Sequence, residues 1–90
     1  MSYTVKVSRP AEKFLRAVTD KKLYQRLREA LDALEENPRP VNSVKLQGEE
    51  ELYRVRVGDY RIVYQIQDRQ LIVLVVQMGH RRDGLSVAAP

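Results

Sequence analysis

Leu52-Tyr53-Arg54-Val55-Arg56-Val57-Gly58-Asp59-Tyr60-Arg61-Ile62-Val63-Tyr64-Gln65-Ile66 carries the pattern of a β-hairpin. Two runs that alternate apolar and polar residues flank Gly58-Asp59, and a glycine at the first central position of a two-residue loop suits a type II′ hairpin turn. A tight hairpin pairs its residues as mirror images about the turn. Val57 therefore faces Tyr60, Arg56 faces Arg61, Val55 faces Ile62, Arg54 faces Val63 and Tyr53 faces Tyr64. The register sorts the side chains onto two faces. One carries Tyr53, Val55, Val57, Tyr60, Ile62, Tyr64 and Ile66 and suits a core; the other gathers Arg54, Arg56 and Arg61.

Like charges in facing positions repel, so this is a poor way to stabilise a sheet. At a separation of about 5 Å and an effective dielectric near 20 the repulsion is roughly 3 kcal/mol, most of which splayed side chains recover in water. A solvated basic face is the bland reading. A phosphate site is the preferred one, because guanidinium forks match phosphate oxygens bidentately and three of them converge on one short hairpin.

Composition narrows the classes. Ninety residues make one domain, 1–90, that buries only about 60% of its unfolded surface, so the expected site is an open groove and not an internal cavity. Sixteen Lys and Arg against twelve Asp and Glu give a formal charge of +4, which favours a polyanionic partner such as nucleic acid. The pI near 9.6 points the same way. With no cysteine there is no disulfide framework, thiol nucleophile or Cys-based zinc site, and one histidine cannot build a His-cluster metal site. No metal or other cofactor is expected. Neither a secretory signal nor a membrane span is visible, which makes the cytoplasm the expected compartment.

Tyr3-Thr4-Val5-Lys6-Val7 alternates at period two and reads as a first strand with Tyr3, Val5 and Val7 inward. Ser8 is a chemically suitable cap and Pro10 fits the first turn of a helix whose buried stripe is Ala11, Phe14, Leu15 and Val18. Asp20 caps a second helix that buries Leu23, Leu27, Ala30, Leu31 and Leu34 and stops at Asn37-Pro38-Arg39-Pro40. Its outer face runs from Lys21, Lys22, Arg26 and Arg28 to Asp32, Glu35 and Glu36, against the sense of the helix dipole. Ser43–Leu46 forms a short extended piece, and Glu49-Glu50-Glu51 reads as a hydrated loop. After a turn at Asp68-Arg69, the unbroken apolar run Leu71–Val76 reads as a central strand covered on both sides, with a dimer contact on its second face as the alternative. Nucleotide-loop and metalloprotease motifs are absent. The fold class is α+β: an N-terminal strand, a helical pair, then an antiparallel sheet.

Lys45-Leu46-Gln47-Gly48, the Tyr53–Tyr64 hairpin, and Met78-Gly79-His80-Arg81-Arg82-Asp83 together resemble the RelE branch of the RelE/ParE toxin superfamily over nearly the whole chain. The resemblance implies the RelE-like, microbial-RNase-like fold and a type II toxin–antitoxin toxin that cleaves mRNA in the ribosomal A site by metal-independent 2′-hydroxyl attack. It implies a RelB-like antitoxin, the 30S subunit and mRNA as partners, no membrane, and operator DNA only through the antitoxin complex. By the same resemblance Arg54 and Arg56 help activate the 2′-hydroxyl and grip the backbone. Arg61 stabilises charge on the scissile phosphate, Arg81 protonates the leaving 5′-oxygen, and Lys45 and Arg82 bind substrate. His80, the one side chain with an ordinary pKa near neutrality, is a candidate acid or base, with a surface residue at a strand end as its other reading. Strict alternation from Leu71 puts His80 and Arg82, not Arg81, on the arginine face, and a bulge at Gly79 would reverse that. Asp83–Val87 lacks the tyrosine that many RelE toxins carry there, and the tail to Pro90 leaves little room for a C-terminal helix. The alternative is a ParE-like toxin of the same fold that poisons DNA gyrase and is no nuclease.

Overall fold

The computed structural model describes residues 2–46, 48 and 51–80. In chain order the elements are β1 (Thr4–Val7), α1 (Arg9–Ala17), α2 (Lys21–Glu36), β2 (Ser43–Lys45), β3 (Leu52–Val57), β4 (Tyr60–Gln67) and β5 (Ile72–His80). The strands form one sheet in the order β1-β5-β4-β3-β2. Its β2–β5 part is antiparallel, and β1 adds one parallel pair by lying beside β5. That is the distant pairing the first strand needed.

Both helices start where their caps dictate. The Ser8 side chain accepts from the Ala11 N–H with Pro10 in the first turn, and Asp20 accepts from the Lys22 and Leu23 N–H groups at 2.9 and 3.2 Å. α2 runs against its own dipole, with no acidic residue in its first turn and no basic one in its last. Packing has to hold it. Leu27, Leu31 and Leu34 are buried along one face and join Ala11 and Leu15 of α1 against Tyr53, Val55, Val57, Ile62, Tyr64 and Ile66 of the hairpin. All seven residues of the expected hairpin core face are in this cluster, Tyr60 as a partly buried member. Tyr3, Val5 and Val7 pack against it as well.

β5 departs from expectation in one respect. It is central, between β1 and β4, yet its burial alternates: Val73 and Val75 are buried while Ile72, Leu74 and Val76 are partly open. The helices cover one face only, so the apolar run is not buried on both sides. Val73 and Val75 carry the core, and the intervening residues line the open face of the sheet.

Two features hold the far end of the sheet, away from the hairpin turn. Tyr64 is fully buried, and its hydroxyl donates to the Pro38 carbonyl at 2.7 Å, which ties the segment after α2 to the centre of the sheet. Arg39 is the second. Its guanidinium donates to Asp68 at 2.8 Å, to Glu51 at 3.4 Å and to the Tyr53 hydroxyl at 3.1 Å, and lies 5.4 Å from the centre of the Tyr53 ring. Asp68 also accepts from the Tyr3 hydroxyl at 2.7 Å, so β1, the β4–β5 turn and the post-helix segment share one polar knot. Glu51, read from sequence as part of a hydrated loop, belongs to this knot. The other two glutamates of that run lie outside the described residues. Leu71 closes the turn in a left-handed conformation, φ 56°, kept there by bonds from its N–H to Asp68 and from the Thr4 N–H to its carbonyl.

Two outcomes follow for stability. Tyr64→Phe leaves the Pro38 carbonyl without its buried donor and is expected to cost about 1–3 kcal/mol in denaturant unfolding; an unchanged midpoint would mean that the bond contributes nothing. Hydrogen bonds from Arg39, then from Tyr3, hold the Asp68 carboxyl below its usual range. A depressed carboxylate stabilises the fold above its unfolded pKa of about 3.9 and loses that contribution as pH falls through the folded value. Asp68→Asn is therefore expected to lower the melting temperature at pH 7 and to flatten its decline between about pH 5 and pH 3. Equal acid sensitivity in the two proteins would remove Asp68 from the account.

Candidate nucleic-acid interface

The hairpin turn does what its sequence requires. Gly58 has φ 62° while Asp59 does not share the positive φ, the pattern of a type II′ turn. Gly58 serves a second purpose, since a Cβ there would come within 3.3 Å of the Arg26 guanidinium, which lies over the turn from α2. The register is the mirror-image one: Val57 pairs with Tyr60, Arg56 with Arg61, Val55 with Ile62, Arg54 with Val63 and Tyr53 with Tyr64. Arg54, Arg56 and Arg61 consequently share the open face of the sheet, opposite the helices. Arg56 is exposed, and Arg54 and Arg61 are half-buried. None of the ion pairs among the described residues involves Arg54 or Arg56.

The β4–β5 pairing adds the part that sequence reasoning missed. Tyr60 pairs with His80, Arg61 with Gly79, Ile62 with Met78 and Val63 with Gln77, but Tyr64 pairs with Val75. Val76 is an extra residue on β5, a bulge that exchanges the faces of everything after it. Met78 and His80 turn to the helix side, and Gln77 and Gly79 turn to the arginine face. The bulge lies three positions before Gly79, and it reverses the face of His80 as a bulge at Gly79 would. His80 is therefore not on the arginine face. Its ring lies 5.1 Å from that of Tyr60, edge to face, and Tyr60 in turn lies 6.0 Å from Phe14. The signal in the sequence is Gln77-Met78, where the odd-numbered apolar series Val73, Val75 meets a polar residue and an apolar one follows out of phase; the structure buries 73, 75 and 78.

Lys45 is separated from the arginines as well. It pairs with Tyr53, which sets it on the helix-side face at the sheet edge, where its Nζ lies 3.7 Å from Glu51. Val44 is the β2 residue beside Arg54, and it is exposed. Arg81 and Arg82 lie outside the described residues. The open face near the turn thus reads, rung by rung, Arg56, Arg61 and Gly79, then Val44, Arg54, Val63 and Gln77. Two clefts among the described residues lie on the other side of the sheet. One of about 430 Å³ on the helix side is bounded by Lys22, Arg26, Gly58, Asp59 and Tyr60, and a neighbouring one of about 260 Å³ by Phe14, Val18, Leu23 and Tyr60.

A basic sheet face opposite the helices can hold an extended polyanion by its phosphates, with paired guanidiniums at the centre. Among the described residues it shows no enclosure of the kind that a small-molecule site requires. Among the described residues no helix is long and apolar enough to cross a membrane.

Comparison with known proteins agrees with this geometry. Residues 5–85 match the family described as the ParE toxin of type II toxin–antitoxin systems, parDE. A presumptive RelE-like toxin protein of Escherichia coli is 36% identical over 83 residues, covering 90% of this chain and 85% of its own. In the crystal structure of the archaeal RelE–RelB complex from Pyrococcus horikoshii, a chain 31% identical superposes with a TM-score of 0.79, over 90% of this chain and 97% of that one. The isolated E. coli RelE toxin is 27% identical with a TM-score of 0.76, over 88% of this chain and 84% of that one. The chain belongs to the RelE/ParE superfamily and is a toxin of the type II toxin–antitoxin class.

Proposed function

We propose that this toxin is a ribosome-dependent endoribonuclease that cuts mRNA in the A site by attack of a 2′-hydroxyl on the adjacent phosphate. The observation that carries the reading is the Arg56–Arg61 pair, facing across the hairpin with Arg54 on the same face, opposite the helices. Two guanidiniums held opposite each other repel unless an anion lies between them. A phosphate passing to a phosphorane gains charge, so such a pair binds the transition state more tightly than the ground state.

The roles divide by chemistry. Arg61 and Arg56 stabilise the charge that develops on the scissile phosphate, and Arg54 grips the neighbouring backbone. Arginine is almost never neutral near pH 7, so guanidiniums act here mainly as donors and charge stabilisers, and the weight of catalysis falls on electrostatics and positioning. No metal is needed to supply positive charge. Arg81 is assigned protonation of the leaving 5′-oxygen, and Arg82 a backbone contact. His80 is left out of the proton transfers, because its ring is on the Tyr60 side of the sheet. Lys45 is left out of the substrate contacts for the same kind of reason.

The working compartment is the cytoplasm, where the ribosomes are. A RelB-like antitoxin is the inhibitory partner, by analogy with the RelE–RelB complexes of P. horikoshii and E. coli, and operator DNA is reached through that complex. One observation favours a second reading. The matched family is the ParE toxin, whose chemistry would be gyrase poisoning with the basic face as a docking surface.

The test is cleavage of a defined mRNA by purified protein with and without programmed 70S ribosomes, mapped by primer extension, with Arg61→Ala in parallel. Cuts confined to the A-site codon, dependent on ribosomes, and weakened by about 2–4 kcal/mol of transition-state stabilisation in Arg61→Ala are expected. An undiminished Arg61→Ala protein would defeat the role of Arg61. Inhibition of gyrase supercoiling without mRNA cleavage would establish the second reading.

A further inference from the structure

Gln77 is the half-buried polar residue that the Val76 bulge turns onto the arginine face. It shares a rung with Arg54, the two flanking Val63. On the same face Gln67 donates to Gln65 at 2.9 Å. Gln77 is half-buried on this face, one rung from the Arg56–Arg61 pair. Gly79, two positions further along β5, faces Arg61 across the strands. A Cβ there would meet nothing within 4 Å among the described residues, so they leave room beside Arg61.

These positions have a simple spatial relation. Two residues along a strand cover roughly 6.8 Å, and facing side chains on neighbouring strands start about 5 Å apart. A nucleotide whose phosphate lies at Arg56 and Arg61 can therefore lay its sugar over Gly79 and bring its base edge to Gln77. A carboxamide offers one donor and one acceptor side by side, the arrangement that grips an adenine edge at two points. Single-stranded RNA is read in this way, by hydrogen bonds to unpaired base edges next to a held backbone.

Resting on the nuclease reading above, we infer that Gln77 is a base-reading residue that favours adenine at one codon position adjacent to the cut. Gly79 leaves room for that nucleotide.

The experiment uses programmed ribosomes carrying A-site codons varied one position at a time, cut by the wild type, Gln77→Ala and Gln77→Glu. The wild type is expected to prefer adenine about tenfold at one position. Gln77→Ala should level that preference while cutting the disfavoured codons at the wild-type rate, and Gln77→Glu, which keeps the reach but loses the donor, should shift it away from adenine. Matching melting temperatures keep the comparison among folded proteins. An unchanged base ranking in Gln77→Ala, or a uniform fall across all codons, overturns the inference and leaves the nuclease reading standing. A wild type that cuts no codon overturns both.

Discussion

Pairing parity in the β3–β4 hairpin governs both the core and the arginine face. A two-residue turn at Gly58-Asp59 leaves the facing strands no freedom of register, and register determines the face of every side chain from Leu52 to Gln67. A slip of one residue would carry Arg54, Arg56 and Arg61 into the core and expose Tyr53, Val55, Ile62 and Tyr64. The energy that prevents the slip is the burial of that apolar set against α1 and α2. Core and arginine face are thus two consequences of one constraint. The helices stabilise the candidate site without touching it.

Two arginine environments show how the charge is arranged. Arg39 has Asp68, Glu51 and the Tyr53 hydroxyl around it, and its favourable partners hold its protonated form. Arg56 is set against another arginine. The same short chain, with carboxylates enough to match one guanidinium several times over, places none of its described ion pairs at Arg54 or Arg56. A face built only for solubility would gain from interspersed signs. Concentrated like charge is useful when an anion arrives to fill it.

The sequence was most legible where a local rule applies. The hairpin declared itself through period-two alternation around a glycine turn, and both helix starts through Ser8 and Asp20 with a periodic apolar stripe behind them. Legibility failed where geometry depends on residues distant in the chain. Arg39 meets partners 12 to 29 residues away, and nothing local to Asn37–Pro40 announces them. Lys45 could not be given a face from sequence, because β2 and β3 are joined by a longer loop for which no turn type sets the register. The apolar run in β5 looked covered on both sides because composition reports hydrophobicity but not what lies opposite. Strict alternation puts His80 on the arginine face and a bulge takes it off; the sequence does not choose between them, and the extra residue Val76 does.

That inserted residue also explains how β5 serves two masters. In an unbroken strand the buried series Val73, Val75 would continue through Gln77 and Gly79, placing an amide and a bare backbone against the helices. The bulge at Val76 brings Met78 into the core instead, where it is 4% exposed, and delivers Gln77 and Gly79 to the face that carries Arg61. Substitution alone could restore the core by placing apolar residues at 77 and 79, but it would not turn those positions toward the arginines. Adding one residue does both at once. The hairpin turn places three guanidiniums, and the bulge places an amide and a glycine beside them, so the chemistry of this face depends on two backbone devices as much as on its side chains.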